Sequence, residues 1–436
     1  MRITVNDYFR SGHGCKHFGC GGLFRASILG GLMMFIGTAA WGSEQLWVTL
    51  SSELLSIVDN KIVVLEKIEN QNNGRSLIKI DESQLGILVS YKHTQQSFGG
   101  PISHYSKEEG IEYLYKNFAA EELSTLKANI FSLEYSLKKP EIVNLLVPQV
   151  NEDNLIAWIK KFSEFKNRYY KSTWGVEAVN KLKTLWEGYA KNRPEVTIEL
   201  FKHSKFAQPS LILTIPGKNL SFADEVVVLG GHVDSTAGYV GGNNVRAPGA
   251  DDNASGIAVL TETLRILFAN DYHPDRTIKF IAYAAEEAGL LGSKEIASNF
   301  KKNKVKVVGV LQLDMTNYRG SASDIYLITD YTNKTQNEFL GKLIDGYLHV
   351  SWGQSSCGYG CSDHASWNAQ GMIVSFPFEA EANQCSPDIH TERDLIDATQ
   401  GRAEHSINFA KLALAYAVEL GSVAPSIMMS SRMQGN

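Results

Sequence analysis

The sequence predicts an α/β protein, a sheet with helices on both faces, following a smaller unit of mixed strands and helices. Three observations predict it. From Thr197 onward, apolar strand-like runs alternate with segments of helical period. Residues 44 to about 145 instead mix short strand-like runs with helical ones and lack a convincing set of catalytic residue types. Imidazoles and carboxylates recur where strands end, and layered α/β sheets place their sites beyond the carboxyl ends of strands. The 436 residues are 44% hydrophobic and 20% charged, ordinary globular values that allow a large core. A net charge of -5 leaves no basic footprint, so nucleic acid is not an expected partner.

At the N-terminus, Arg2, Arg10, Lys16 and Arg25 precede the apolar run "ASILGGLMMFIGTAAW", then small residues and Glu44. That order describes a secretory signal, expected over residues 1–42, and the run is short for a membrane span. A buried N-terminal helix is the competing reading. No later segment has 18 uninterrupted apolar residues. The exported chain is therefore expected to be soluble, in the periplasm or the medium, and without stable membrane insertion.

Residues 43–146 form the expected small unit. "NKIVVLEKI" and "SLIKIDESQLGILVSY" read as strands around the turn-rich "ENQNNG", and "SKEEGIEYLYKNF" and "AEELSTLKANIFSLEYSL" as helices. The main unit, 147–424, opens with a helical reading of "NEDNLIAWIKKFSEFKNRYY". "EVVVLGGHVD" then reads as a buried strand. "GIAVLTETLRILFAN" reads as a helix with Ile257, Leu260, Leu264 and Leu267 on one face. "TIKFIAYAAEE", "VKVVGVLQLDMT" and "DIYLITD" read as strands, and "LLGSKEIASNFKK" and "TQNEFLGKLIDGYL" as helices. Residues 425–436 form a short tail.

Cys15 and Cys20 would leave with the signal. The spacing of Cys357 and Cys361 in "SSCGYGCSDH", with two intervening glycines, permits a tight disulfide in an oxidising compartment without requiring one. Cys385 is then the odd cysteine, and these thiols lack a fourth partner for a zinc site of their own.

The strand ends carry the chemistry. "LGGHVDST" supplies His232 and Asp234, "PGADDNASG" supplies Asp251 and Asp252, "YAAEEAG" supplies Glu286 and Glu287, and "LQLDMT" supplies Asp314. Burying adjacent glutamates unpaired costs on the order of several kcal/mol or forces a proton on. Each residue has a plainer reading alone: a structural histidine, helix-capping aspartates, a solvated turn. Together they suit a catalytic centre for zinc, manganese or cobalt. Two divalent cations roughly 3.5–4 Å apart need one bridging carboxylate and further carboxylate and imidazole ligands, which accounts for the acidic excess. A glutamate left unligated can serve as general base toward a metal-activated water.

The segments "GGHVDS", "PGADDNASG", "AAEEAGLLGS", "LQLDM" and "CSDHASW", in this order, resemble the bacterial leucyl aminopeptidases of the M28 zinc-exopeptidase family. The resemblance runs from about Pro148 to about Leu420, with "FKNRYY" near its start and "IHTERD" near its end. It implies a three-layer α-β-α fold with a mixed, largely parallel central sheet, preceded by a small α+β prodomain. It implies two zinc ions per chain: His232 and Asp314 on one, Glu287 and His390 on the other, and Asp252 bridging. Glu286 would be the general base, and Asp234 would orient His232. His364, in "CSDHASW", is a competing imidazole, kept as a supporting or structural residue. The resemblance also implies a disulfide between Cys357 and Cys361, with Tyr359 donating a hydrogen bond to the oxyanion. Met315, Phe376, Phe378 and Ile389 would border an apolar pocket for the first side chain, core packing being their other reading.

The expected activity is release of large apolar, leucine-like residues from peptides with a free N-terminus, by a chain expected to be monomeric. Alternatives are a carboxypeptidase, a one-zinc glutaminyl cyclase, or a metal-free binding protein. The first lacks a plain basic residue for a substrate carboxylate, the second needs only three ligands, and the third would have lost some.

Overall fold

A computed structural model describes residues 45–71, 74–88, 101–115, 135–237 and 244–423. The expected signal segment, Cys15, Cys20, residues 425–436 and most of the helix expected in "AEELSTLKANIFSLEYSL" lie outside the described residues.

Four strands build the N-terminal sheet: β1 (Gln45–Ser51), β2 (Glu66–Asn70), β3 (Arg75–Asp81) and β4 (Ile102–His104). Their order is β2-β3-β1-β4 and every pairing is antiparallel. Helix α1 (Ser52–Val58) starts where the Ser51 hydroxyl accepts the Leu54 N–H at 3.1 Å, and α2 (Lys107–Tyr115) follows β4. The strand expected over 76–91 stops at Asp81. There the Asp81 carboxylate accepts the Ser83 N–H at 2.9 Å and turns the chain into helical turns that run to Leu88. The preceding strand starts only at Glu66, because residues 61 and 62 still bond back to the Val58 carbonyl at the end of α1.

Three helices follow: α3 (Pro140–Leu146), α4 (Glu152–Ser163) and α5 (Thr173–Ala190). Asn151 caps α4 by accepting the Asp153 N–H at 2.7 Å. The helix expected through Tyr170 ends at Ser163, since the chain after it folds inward and buries Arg168.

The rest follows in order: β5 (Thr197–Phe201), β6 (Ser210–Ile215), β7 (Glu225–His232), α6 (Gly256–Ala269), β8 (Thr277–Tyr283), α7 (Leu291–Lys302) and β9 (Lys306–Gln312). Then come β10 (Ile325–Ile328), α8 (Lys334–Leu343), β11 (Trp352–Ser355), α9 (His364–Ala369), β12 (Val374–Ser375), β13 (Pro377–Phe378) and α10 (Glu404–Gly421). The main sheet runs β12-β9-β7-β8-β6-β5. β12, β9, β7 and β8 are mutually parallel, whereas β6 pairs antiparallel with β8, and β5 antiparallel with β6, at the far side. A second sheet, β11-β10-β13, takes up the strand expected in "DIYLITD".

Strand alternation divides the core into layers. Val226 and Val228 of β7 face Ile296, Ala297 and Phe300 of α7 and Trp367 of α9. On that face Trp367 donates its indole N–H to the Tyr283 hydroxyl at 2.9 Å and meets Phe300 edge-on, centroids 5.1 Å apart. Helices α6 and α10 cover the opposite face. α6 is buried around most of its circumference, beyond the single apolar face expected, because α4, α5 and α10 also pack on it. The small sheet shares a core with the large unit: Leu46, Val48, Leu50, Ile78 and Ile80 pack with Ala285, Ala288 and Leu291 around the end of β8. Among the described residues no helix is long and apolar enough to cross a membrane.

Candidate metal centre and active site

Three adjacent parallel strands deliver the site. β7 ends on His232, β8 runs into Glu286 and Glu287, and β9 runs into Asp314. β7 and β9 come unusually close here, since a side chain on Gly231 would meet the Leu313 carbonyl at 2.5 Å. A tight turn at 250–255 before α6 adds Asp252, and the loop between β13 and α10 adds His390. Ala285, Met315 and His390 all have left-handed backbone, at φ 56°, 56° and 51°. Such conformations persist in side-chain-bearing residues only where the surroundings enforce them, and here they aim the neighbouring ligands.

All five expected ligands converge, each at least nine-tenths buried. His232 Nε2 lies 2.9 Å from Asp252 Oδ1 and 3.2 Å from Asp314 Oδ1. His390 Nε2 lies 2.8 Å from Asp252 Oδ2 and 2.7 Å from Glu287 Oε2. The two oxygens of Asp252 thus face different imidazoles, and two triads form: His232–Asp252–Asp314 and Asp252–Glu287–His390. Each of the two Nε2 atoms meets two carboxylate oxygens, whereas one N–H serves one acceptor. Glu286 Oε1 and Glu287 Oε1 have no hydrogen-bond donor among the described residues. Unsatisfied lone pairs converging on imidazole nitrogens, without thiolate, fit a pair of zinc-class cations.

The electrostatics agree. Burial alone would lower the His232 pKa, but Asp314, Asp234 and Asp252 push it well above the ordinary value. Burial also opposes protonation of His390, yet Glu287 and Asp252 raise its pKa to about 10. Burial raises Glu286 well above the usual carboxylate range; His232 opposes this, and Asp363, Asp314 and Glu287 add to it. Burial, then Asp252, raises Glu287 to about 7. Without cations, protons must do the neutralising.

The remaining expected residues fall at varied distances from this centre. Asp234 lies beside His232, but the nearest acceptor to His232 Nδ1 is its main-chain carbonyl, at 3.2 Å, with Oδ1 at 3.5 Å. Its carboxylate grips two successive N–H groups instead, Glu286 at 3.0 Å and Glu287 at 3.1 Å. Asp251 turns away from the triads and accepts the Asn317 N–H at 3.1 Å. His364 belongs to neither triad. Its Nε2 donates to the Asp330 carbonyl at 3.1 Å, and burial drives its pKa down to about 3. Cys357 and Cys361 are disulfide-bonded, and Tyr359 stands between them. Tyr359 and Cys385 flank an apolar cluster that contains Met315, Phe376, Phe378 and Ile389.

Sequence reasoning passed over four supporting residues, although each lay inside a quoted motif or beside one. Ser362 donates its hydroxyl to Asp314 Oδ2, and Gln312 donates to Ser362 at 3.0 Å and Asp363 at 3.2 Å. Asp394, in "IHTERD", accepts the N–H groups of Asp251 at 2.9 Å and Asp252 at 3.1 Å. An acidic residue shortly after a ligand histidine was the available signal.

Comparison with known proteins agrees with this fold. The family described as Peptidase family M28 matches residues 210–415. Leucine aminopeptidase 1 of the fungus Pyrenophora teres f. teres is 34% identical over 367 residues, 78% of this chain and 91% of that protein. A probable aminopeptidase of Saccharomyces cerevisiae is 33% identical over 313 residues, 70% of this chain and 82% of that protein. The crystal structure of the Legionella pneumophila LapA aminopeptidase superposes with a TM-score of 0.75 at 30% identity, covering 88% of this chain and all of that one. The chain belongs to peptidase family M28, and so to the peptide-bond hydrolases.

Proposed function

We propose that this protein is a secreted, monomeric dizinc aminopeptidase that removes large apolar N-terminal residues, leucine above all, from peptides. The observation that carries the reading is the placement of Asp252 between the two imidazoles, with Glu286 beside them. His232 and Asp314 would hold one zinc ion, Glu287 and His390 the other, and Asp252 both. Bound there, the ions supply Lewis acidity toward the peptide carbonyl and lower the pKa of water.

The chain's own groups perform the rest. Glu286 Oε1 takes the proton of the attacking water and returns it to the departing amine. Burial already raises the proton affinity of Glu286, as this double duty requires. Asp234 fixes the backbone of both glutamates, so the base cannot drift from the water it must reach. The Tyr359 hydroxyl donates to the oxyanion that develops on the carbonyl oxygen. Met315, Phe376, Phe378 and Ile389 are buried together in one apolar cluster, which in this reading borders the place of the first side chain and favours leucine-like ones.

Residues 1–42 are read as the signal peptide, and the Cys357–Cys361 disulfide suits an exported protein. Residues 43–146 are read as a prosegment. In support, Thr49, Leu50, Ser51 and Arg75 face Gly358, Tyr359 and Gly360 across a cavity of ≈ 370 Å³, and so stand over the oxyanion loop.

The test is turnover of amino-acid anilides with varied first residues, before and after chelation, with metal analysis. Fast cleavage of the leucine anilide, its loss on chelation and recovery with zinc, and two zinc ions per chain are expected. One zinc with cyclisation of N-terminal glutamine, or rapid cleavage of an acetylated peptide, would replace this reading.

A further inference from the structure

"FKNRYY" has no role in the reaction as described, yet it places the guanidinium of Arg168 behind the metal centre, fully buried. Arg168 forms no ion pair among the described residues. It is solvated by main-chain carbonyls instead. Nε donates to Val233 at 2.8 Å, Nη2 to Gly249 at 2.7 Å, and Nη1 to Phe162 at 3.1 Å and to Pro248. Its own N–H donates to the Ser235 hydroxyl at 3.0 Å, and that hydroxyl donates to the Ala247 carbonyl at 2.9 Å.

Three of those carbonyls belong to two loops, and the fourth, of Phe162, to the last turn of α4. Val233 directly follows the ligand His232, whereas Pro248 and Gly249 lead into the turn that presents Asp252. One rigid fork therefore spans the segments that must hold an imidazole and a bridging carboxylate at a fixed separation. Gly249 is shaped around the fork: its φ is 52°, and a Cβ there would meet Arg168 Nη2 at 2.7 Å and the Asp252 carbonyl at 2.3 Å. Asp394 also holds this turn, through the N–H groups of Asp251 and Asp252. The guanidinium is also a permanent cation amid Asp394, Asp252, Asp234 and Glu287.

We infer that Arg168 is a positioning residue that sets the spacing of the His232 and Asp252 loops and so pre-assembles the two-metal site. The inference rests on the metal-centre reading above. Lysine cannot replace it, because an ammonium lacks the planar fork that reaches both loops at once.

The test uses the full chain carrying Arg168→Lys or Arg168→Met. Zinc affinity is measured by competition with a chelator, the cobalt-substituted absorption spectrum is recorded, and circular dichroism of the metal-free protein reports folding. Supporting groups behind metal ligands contribute about 10- to 100-fold in affinity, and a loss of that size with an altered cobalt spectrum is expected from both variants. Folded variants with wild-type affinity and spectrum would overturn the inference. If neither folds, Gly249→Ala keeps the guanidinium but crowds it. Weakened zinc binding with a changed spectrum supports the role, and unchanged values refute it. No peptide enters these measurements. A wild type that binds two zinc ions yet cleaves no anilide refutes the aminopeptidase and leaves Arg168 in place; one that binds none refutes both.

Discussion

Acidification should loosen the N-terminal sheet from the rest of the molecule through His104. This residue ends β4 and is completely enclosed. Its Nδ1 lies 3.1 Å from Lys294 Nζ on α7, and its Nε2 lies 2.8 Å from Thr49 Oγ1 on β1. A lysine ammonium only donates, so Nδ1 accepts and the ring proton on Nε2 goes to Thr49. Lys294 also donates to the Ser103 carbonyl and pairs with Glu109 Oε1 at 2.5 Å, while Glu109 stands 3.6 Å from Nδ1. Burial, then Lys294, lowers the His104 pKa to about 4 against the opposing pull of Glu109.

Once exposed, the imidazole takes a proton near pH 6.5 that the packed state refuses until about pH 4. The contribution to docking is therefore present above pH 6.5 and is lost as pH falls toward 4. Integrated from pH 7 to 5, the loss is about 1.8 kcal/mol, roughly a 20-fold rise in the open population. Burial raises the Glu109 pKa, but His104 and Lys294 outweigh it and bring it to about 2, so its acid loss has the same sign below this window. Hydrogen exchange of β1 and β4 amides, corrected for intrinsic rate and compared with β8, measures the opening in metal-free protein. His104→Gln keeps a donor and an acceptor without the titration. The wild type should open more steeply than the variant between pH 7 and 5, and identical slopes would refute the reasoning.

Two further predictions concern the reaction. Glu286→Gln should bind two zinc ions with little change while kcat falls by about 10²–10⁴, the usual contribution of a positioned base; undiminished turnover removes Glu286 from that role. Asp252→Ala should lose metal and activity together, because among the described residues no other carboxylate pairs with both imidazoles, and a metallated, active variant contradicts the bridging assignment.

Four candidate ligands, His232, Asp252, Glu287 and Asp314, were legible because their signals are local, an acid or imidazole where a strand ends or a helix begins, whereas His390 was reached only through the family resemblance. The parallel half of the sheet was legible for a similar reason, as β7, β8 and β9 are continuous apolar runs that alternate with helices. Arg168 and Asp394 were not. Both act on main-chain groups, whose identity the sequence does not encode, across 81 and 143 positions respectively. The end of β3 was missed because the Asp81 side chain overrides the apolar alternation of the following residues. β10 was expected as a strand, but nothing near it announces its parallel partner β11 or its antiparallel partner β13.

The grip of Asp394 on Asp251 and Asp252 links activity to the order of synthesis. Asp394 lies 143 positions after Asp251 and 142 after Asp252, so it leaves the ribosome well after both. A nascent or truncated polypeptide that already contains His232, Asp252, Glu286 and Asp314 still lacks one imidazole and the clamp on its central carboxylate. Closure of the Asp252–Glu287–His390 triad therefore waits for the segment that follows β13.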